Sequence, residues 1–96
     1  MGQAYRYKRS IEQSYEEQGY IYFLSRRYTR LSPWKKERID RHCREVAGGE
    51  AAYEKGLRAF VLEGKGETEV CMRHNLSEST LRRLVQKYYE TFPQGM

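Results

Sequence analysis

Hydrophobic positions in this chain recur mostly every three or four residues, the spacing of one face of an α-helix. The pattern is cleanest late in the chain, in "SESTLRRLVQKYYE". Leu81, Leu84, Val85 and Tyr88 fall on one side, and Ser79, Arg82, Arg83, Gln86 and Lys87 on the other. Ser77 stands where an N-cap belongs, since its side-chain oxygen can accept from the first turn. A shorter helix from about Thr68 precedes it, with Val70, Cys71 and His74 along one side. Asn75 and Leu76 turn the chain between the two.

Upstream, "LSPWKKERIDRHCREVAGG" carries its own boundary marks. Ser32 is a natural N-cap, Pro33 suits the first helical position, and Gly48 follows the last apolar residue as a stop. Ile39, Cys43 and Val46 form its inward stripe, with His42 beside it, while Arg38, Arg41, Arg44 and Trp34 point away. A tryptophan is seldom left in water, so Trp34 is expected to cover another part of the domain. A further helix from about Glu50 to Leu62 places Tyr53, Leu57, Phe60 and Val61 on one face, and "EGKG" after it is a turn.

The first segment, from about Ser10 to Arg30, has two apolar faces. Ile11, Tyr15 and Tyr22 share one side, and Tyr20, Leu24, Tyr28 and Leu31 lie nearly opposite. Gly19 sits at the changeover, so this helix either bends there or is buried on both sides, one of them against a second copy. "YIYFL" also has strand character, being β-branched and aromatic, but nothing nearby offers a second strand. The expected fold is therefore all-α, a single domain over residues 1–96. It has about five helices in a small orthogonal bundle, with a basic, Tyr-rich part over residues 1–49 and a second helical part over residues 50–92.

Composition narrows the function classes. At 96 residues there is enough chain for one core. No apolar run approaches the roughly 20 residues that span a bilayer. "MGQAYRYKRS" lacks the apolar stretch of a secretory signal, and Arg6 stands where a myristoylation signal wants Ser or Thr. Two cysteines without secretory context imply a reducing, cytoplasmic location and no membrane partner.

The net charge of +5 is unevenly spread. Residues 1–49 hold eleven Lys/Arg against six Asp/Glu, whereas residues 50–96 hold seven of each. From Arg26 to Arg44 there are eight basic and two acidic residues. Such a basic half fits an anionic partner, nucleic acid being the commonest for a domain of this size; the plain alternative is a solvated surface.

Other chemistry finds little support. His42, Cys43, Cys71 and His74 are all the His and Cys present. Neighbouring His42 and Cys43 diverge by about 100° on a helix, too far to serve one ion, so the cysteines read as small core residues and no metal is expected. "GKGET" lacks the spacing of a nucleotide-binding loop, and Asp40 is the sole aspartate. Neither an enzyme nor a cofactor is expected.

The stretch from Glu67 to Gln86 resembles the twenty-residue helix-turn-helix unit of bacterial and phage DNA-binding proteins. Val70-Cys71 supplies the apolar and small pair of the first helix, and Asn75 the turn residue that tolerates the left-handed conformation. Leu76, Leu81 and Leu84 supply the apolar positions that follow, and residues 57–62 would lie in the supporting helix. His74 departs from the pattern by standing where an aliphatic is usual, a place a neutral imidazole can fill. "LSESTLRR" is also similar to the last region of sigma factors, where a Ser-x-x-Thr start precedes the base-reading helix. Small regulators of phages and mobile elements share this size and look.

The resemblance implies a transcriptional regulator that binds double-stranded DNA, its last helix lying in the major groove. Arg82 or Arg83 would contact guanine, Ser79 and Gln86 would read a base or hold a phosphate, and Ser77, the cap, opens this DNA-binding set. Glu78 would favour the helix dipole and accept from cytosine. Lys87 and Arg73 would grip the backbone. Because residues 50–96 are neutral, further affinity would come from the Arg26–Arg44 region or from a homodimer on two half-sites. From a different class, the competing expectation is a helical interaction module that docks on RNA polymerase or on a phage or conjugation protein.

Overall fold

A computed structural model describes residue 11 and residues 13–96, and the expected helix start at Ser10 lies outside them. The chain forms α1 (Tyr15–Arg26), a single 3-10 turn (Tyr28–Arg30), α2 (Pro33–Ala47), α3 (Ala51–Val61), α4 (Glu67–His74) and α5 (Glu78–Glu90). The fold is all-α, as the periodicity predicts, with no strand among the described residues. No helix is long and apolar enough to cross a membrane among the described residues.

The first helix starts later than its apolar pattern suggests, because a capping box sets its boundary. Ser14 Oγ accepts from the Glu17 N–H at 3.0 Å, and the Ser14 N–H donates to Glu17 Oε1 at 3.2 Å. The helix continues through Gly19 and "YIYFL" to Arg26, beyond which the chain tightens into the 3-10 turn. Its buried side chains are Gln18, Ile21 and Ser25, with Leu24 and Tyr28 packed partly against the core. Tyr15, Tyr20 and Phe23 are exposed. Ile11 is buried but precedes the helix, so helical spacing does not relate it to Tyr15 or Tyr22.

Helix α2 keeps the expected ends. Pro33 opens it, and Gly48, at φ 64°, closes it with its N–H directed at the carbonyls of Arg44 and Glu45. Ser32 occupies the N-cap position without a side-chain capping bond. Trp34 is half exposed (51%) rather than buried against the domain, and the Lys35 ammonium lies 5.7 Å from its ring centroid. Of the two cysteines, Cys43 is buried in the core and Cys71 is only half-buried.

The core centres on Ile39 and Cys43 of α2, Leu57 of α3, Val70 of α4, and Leu81 and Tyr88 of α5. Tyr88 holds its far end together. Its ring packs against His42 (5.0 Å between centroids) and Phe92 (5.4 Å), and its hydroxyl lies 2.8 Å from Ser25 Oγ.

The last carbonyls of a helix have no partner within it. Here His42 Nε2 donates to the Tyr88 carbonyl at 2.8 Å, and Gln13 Nε2 to the Tyr89 carbonyl at 2.7 Å. Burial lowers the imidazole pKa, which keeps His42 a neutral donor. The C-terminal turn of α5 is thus fastened to α2 and to the segment before α1.

A second staple joins the basic half to α3. The Tyr28 hydroxyl donates to Asp40 Oδ1 at 2.6 Å, and Arg58 donates to the same oxygen at 2.7 Å. Burial opposes ionisation of Asp40, but these two donors outweigh it and hold the carboxyl below its usual range.

Candidate nucleic-acid interface

Helices α4 and α5 are joined by three residues, Asn75 to Ser77, and each has a distinct task. Asn75 adopts the left-handed conformation (φ 56°, ψ 49°), the only non-glycine residue with positive φ among those described. That conformation turns the Leu76 N–H back to the Cys71 carbonyl at 3.0 Å, which also accepts the last helical bond from the Asn75 N–H. Ser77 then caps α5: its Oγ accepts from the Thr80 N–H at 3.1 Å and donates to Thr80 Oγ1 at 2.8 Å.

Leu76 ties this turn to α3. A Cβ at Gly56 would stand 2.5 Å from Leu76 Cδ1, 3.5 Å from Val70 Cγ1 and 3.7 Å from His74 Cβ. Gly56 is therefore a place where α4 and its turn approach α3 closely, and half-buried His74 borders the same contact. The sequence holds one signal for it: a glycine inside "AAYEKGLRAFV", otherwise rich in helix formers.

The expected DNA-contacting residues fall into three groups. Ser79, Arg82, Arg83 and Gln86 line one concavity of about 570 Å³, whose apolar wall includes Ile11, Phe60, Leu81 and Val85. Glu78 and Lys87 are exposed on the same helix, whereas the Ser77 hydroxyl is engaged in capping. Arg73 lies elsewhere. It borders a groove between α3 and α4 with Lys55, Arg58, Lys65 and His74.

The charges of α5 are partly matched within the chain. Arg82 Nε donates to Glu67 Oε2 at 2.9 Å, across the turn, and Arg82 Nη2 lies 3.6 Å from Glu78 Oε1. Glu67 reinforces the cationic form of Arg82 and raises its pKa. Gln86 Nε2 donates to Glu90 at 3.2 Å. Arg83 and Lys87 enter no ion pair among the described residues.

Several cations of the Arg26–Arg44 stretch serve the fold. The Arg26 guanidinium rests against Gly64, in the α3–α4 loop, and Arg38 donates to the Gln94 carbonyl at 3.4 Å. Arg27, Arg30, Arg41 and Arg44 are exposed and form no ion pair among the described residues.

The chain matches no protein-family model, no curated protein and no solved structure.

Proposed function

We propose that this chain is a DNA-binding regulator of transcription, of phage or mobile-element type, that reads the major groove of double-stranded DNA with the exposed face of α5. One observation carries the proposal. Ser79, Arg82, Arg83 and Gln86 line a single concavity on a helix whose entry is set by a left-handed Asn75 and whose far end is clamped by His42 and Gln13. A rigid helix with polar side chains at its N-terminal half is the arrangement that presents donors to base edges.

Within this proposal Arg83 is the first candidate for guanine, since Arg82 must exchange Glu67 and Glu78 for a base or phosphate. Ser79 and Gln86 flank it, Lys87 serves the backbone, and Ser77 acts by capping rather than reading. Arg73, in the α3–α4 groove, is not required. Two copies on half-sites about 34 Å apart would double the number of phosphates gripped. Tyr20 and Phe23 on the outer side of α1 are exposed and would take part in such a dimer.

The test is titration of a mixed-sequence duplex at rising salt. The logarithm of the affinity should fall linearly with the logarithm of the salt concentration, with a slope of about −0.9 per phosphate neutralised. Arg82→Ala with Arg83→Ala should weaken binding more than tenfold while the melting temperature stays unchanged. Absence of binding even at low salt would reject DNA as the partner. Binding unchanged by the double variant would reject the α5 face.

A further inference from the structure

We propose that the outer face of α1 is a dimer seam, on which a second copy of this chain packs its own α1 in antiparallel orientation about a two-fold axis. This inference deepens the DNA-binding proposal, from which it takes the need for two copies, and it is tested without DNA.

Glu16, Tyr20, Phe23 and Arg27 follow one another at intervals of four, three and four residues. That is the a/d spacing of a coiled-coil seam. All four line one groove, bordered by Gly19 and Leu24. Tyr20 is 52% exposed and Phe23 56%, and these two large rings occupy the middle of the seam. Both are positioned from within the chain. The Tyr20 hydroxyl donates to the Met96 carbonyl at 2.5 Å, and the Tyr22 ring meets Phe23 edge-on with 5.1 Å between centroids. Rings already held in place lose little further freedom when a partner covers them.

The charges at the two ends of the seam choose the partner. Glu16 lies in the first turn of α1, and Arg27 is its C-cap. Both are exposed, and neither enters an ion pair among the described residues. Eleven positions separate them, about 16 Å along a helix. A face with acid at one end and base at the other complements itself when turned end over end, which is the condition for a two-fold interface. A copy laid antiparallel sets its Arg27 on Glu16 and its Glu16 on Arg27. The same register pairs each Tyr20 with the other copy's Phe23, because both pairs of positions share one midpoint. A parallel copy sets like charges together at both ends and is disfavoured.

The test is self-association of the full chain without DNA, followed by sedimentation equilibrium. A seam of three turns stands at the small end of protein interfaces, so the parent should dimerise with dissociation in the micromolar range. Glu16→Arg alone and Arg27→Glu alone each put like charges at both ends and should weaken the dimer roughly tenfold or more. Glu16→Arg combined with Arg27→Glu in one chain restores both pairs and should return dissociation close to the parent's. If a single variant melts lower than the parent, an equimolar mixture of the two single variants decides, since together they should form the dimer that neither forms alone. A parent still monomeric at about 1 mM overturns the second copy as occupant and leaves the face to a different protein. Single variants that dimerise like the parent, or a double variant as weak as the singles, overturn the antiparallel register. Duplex titration keeps the two proposals apart: a dimer that binds no DNA overturns the α5 reading alone, and a monomer that binds DNA overturns the seam alone.

Discussion

Replacing Tyr88 with alanine is expected to lower the stability of the fold by about 3–5 kcal/mol. That is a large share of the roughly 5–15 kcal/mol that holds a domain together. Tyr88 has no exposed surface, and its ring packs against His42, Tyr89 and Phe92, so truncation leaves a void that three rings must partly collapse into. The loss also loosens the clamp on α5, because His42 is held by the Tyr88 ring as well as by its carbonyl. Urea denaturation measures the total, and a midpoint shift of roughly 15 °C or more should accompany it in thermal melts. Tyr88→Phe isolates the hydroxyl. It keeps the ring but leaves buried Ser25 without its 2.8 Å partner, which should cost about 1–3 kcal/mol. An alanine variant within about 1 kcal/mol of the parent would contradict this account of the core.

The second large effect belongs to Gly56. Gly56→Leu should destabilise the fold by about 3 kcal/mol, at the upper end for overpacking, and should weaken DNA binding beyond that. A Cβ there already meets Leu76, with Val70 and His74 in van der Waals contact, so the carbons of a branched side chain must displace these neighbours. The strain falls on the turn that sets the angle between α4 and α5. Gly56→Ala divides the problem. Alanine gains about 1 kcal/mol of helix propensity, and the nearest atom it meets is the terminal methyl of a side chain, which can rotate away. Alanine should therefore lie within about 1 kcal/mol of the parent. Chemical denaturation of the two variants checks the contrast, and a leucine variant as stable as the alanine one would show that Leu76 does not seat on Gly56.

How much of the fold is legible in the sequence depends on how local each determinant is. The limits of α2 and the start of α5 follow from Pro33, Gly48 and Ser77, residues that act on the backbone at or near their own positions. Asn75 belongs with them, since its left-handed conformation is a property of one residue. The beginning of α1 misleads because Ile11 fits a helical spacing by coincidence, while the Ser14–Glu17 box marks the true start. Trp34 misleads because its exposure depends on what the fold brings near it, and among the described residues the cation over its ring is its own neighbour Lys35.

The ion pair between Glu67 and Arg82 spans fifteen positions and a turn. The Tyr28–Asp40–Arg58 staple joins three elements. Neither leaves a periodic trace in the sequence. Of the expected site, four residues come together on α5, Ser77 turns out to be committed to its cap, and Arg73 faces a different groove.

The central claim is that the outer face of α5 reads base edges, and selection of bound duplexes from a random pool tests it most directly. The parent chain should enrich one motif containing guanine, two-fold symmetric if two copies bind together. Arg83→Ala should lose the preference at that guanine while other positions persist. A pool that shows no enrichment after repeated rounds, or a motif that Arg83→Ala leaves unchanged, would contradict it.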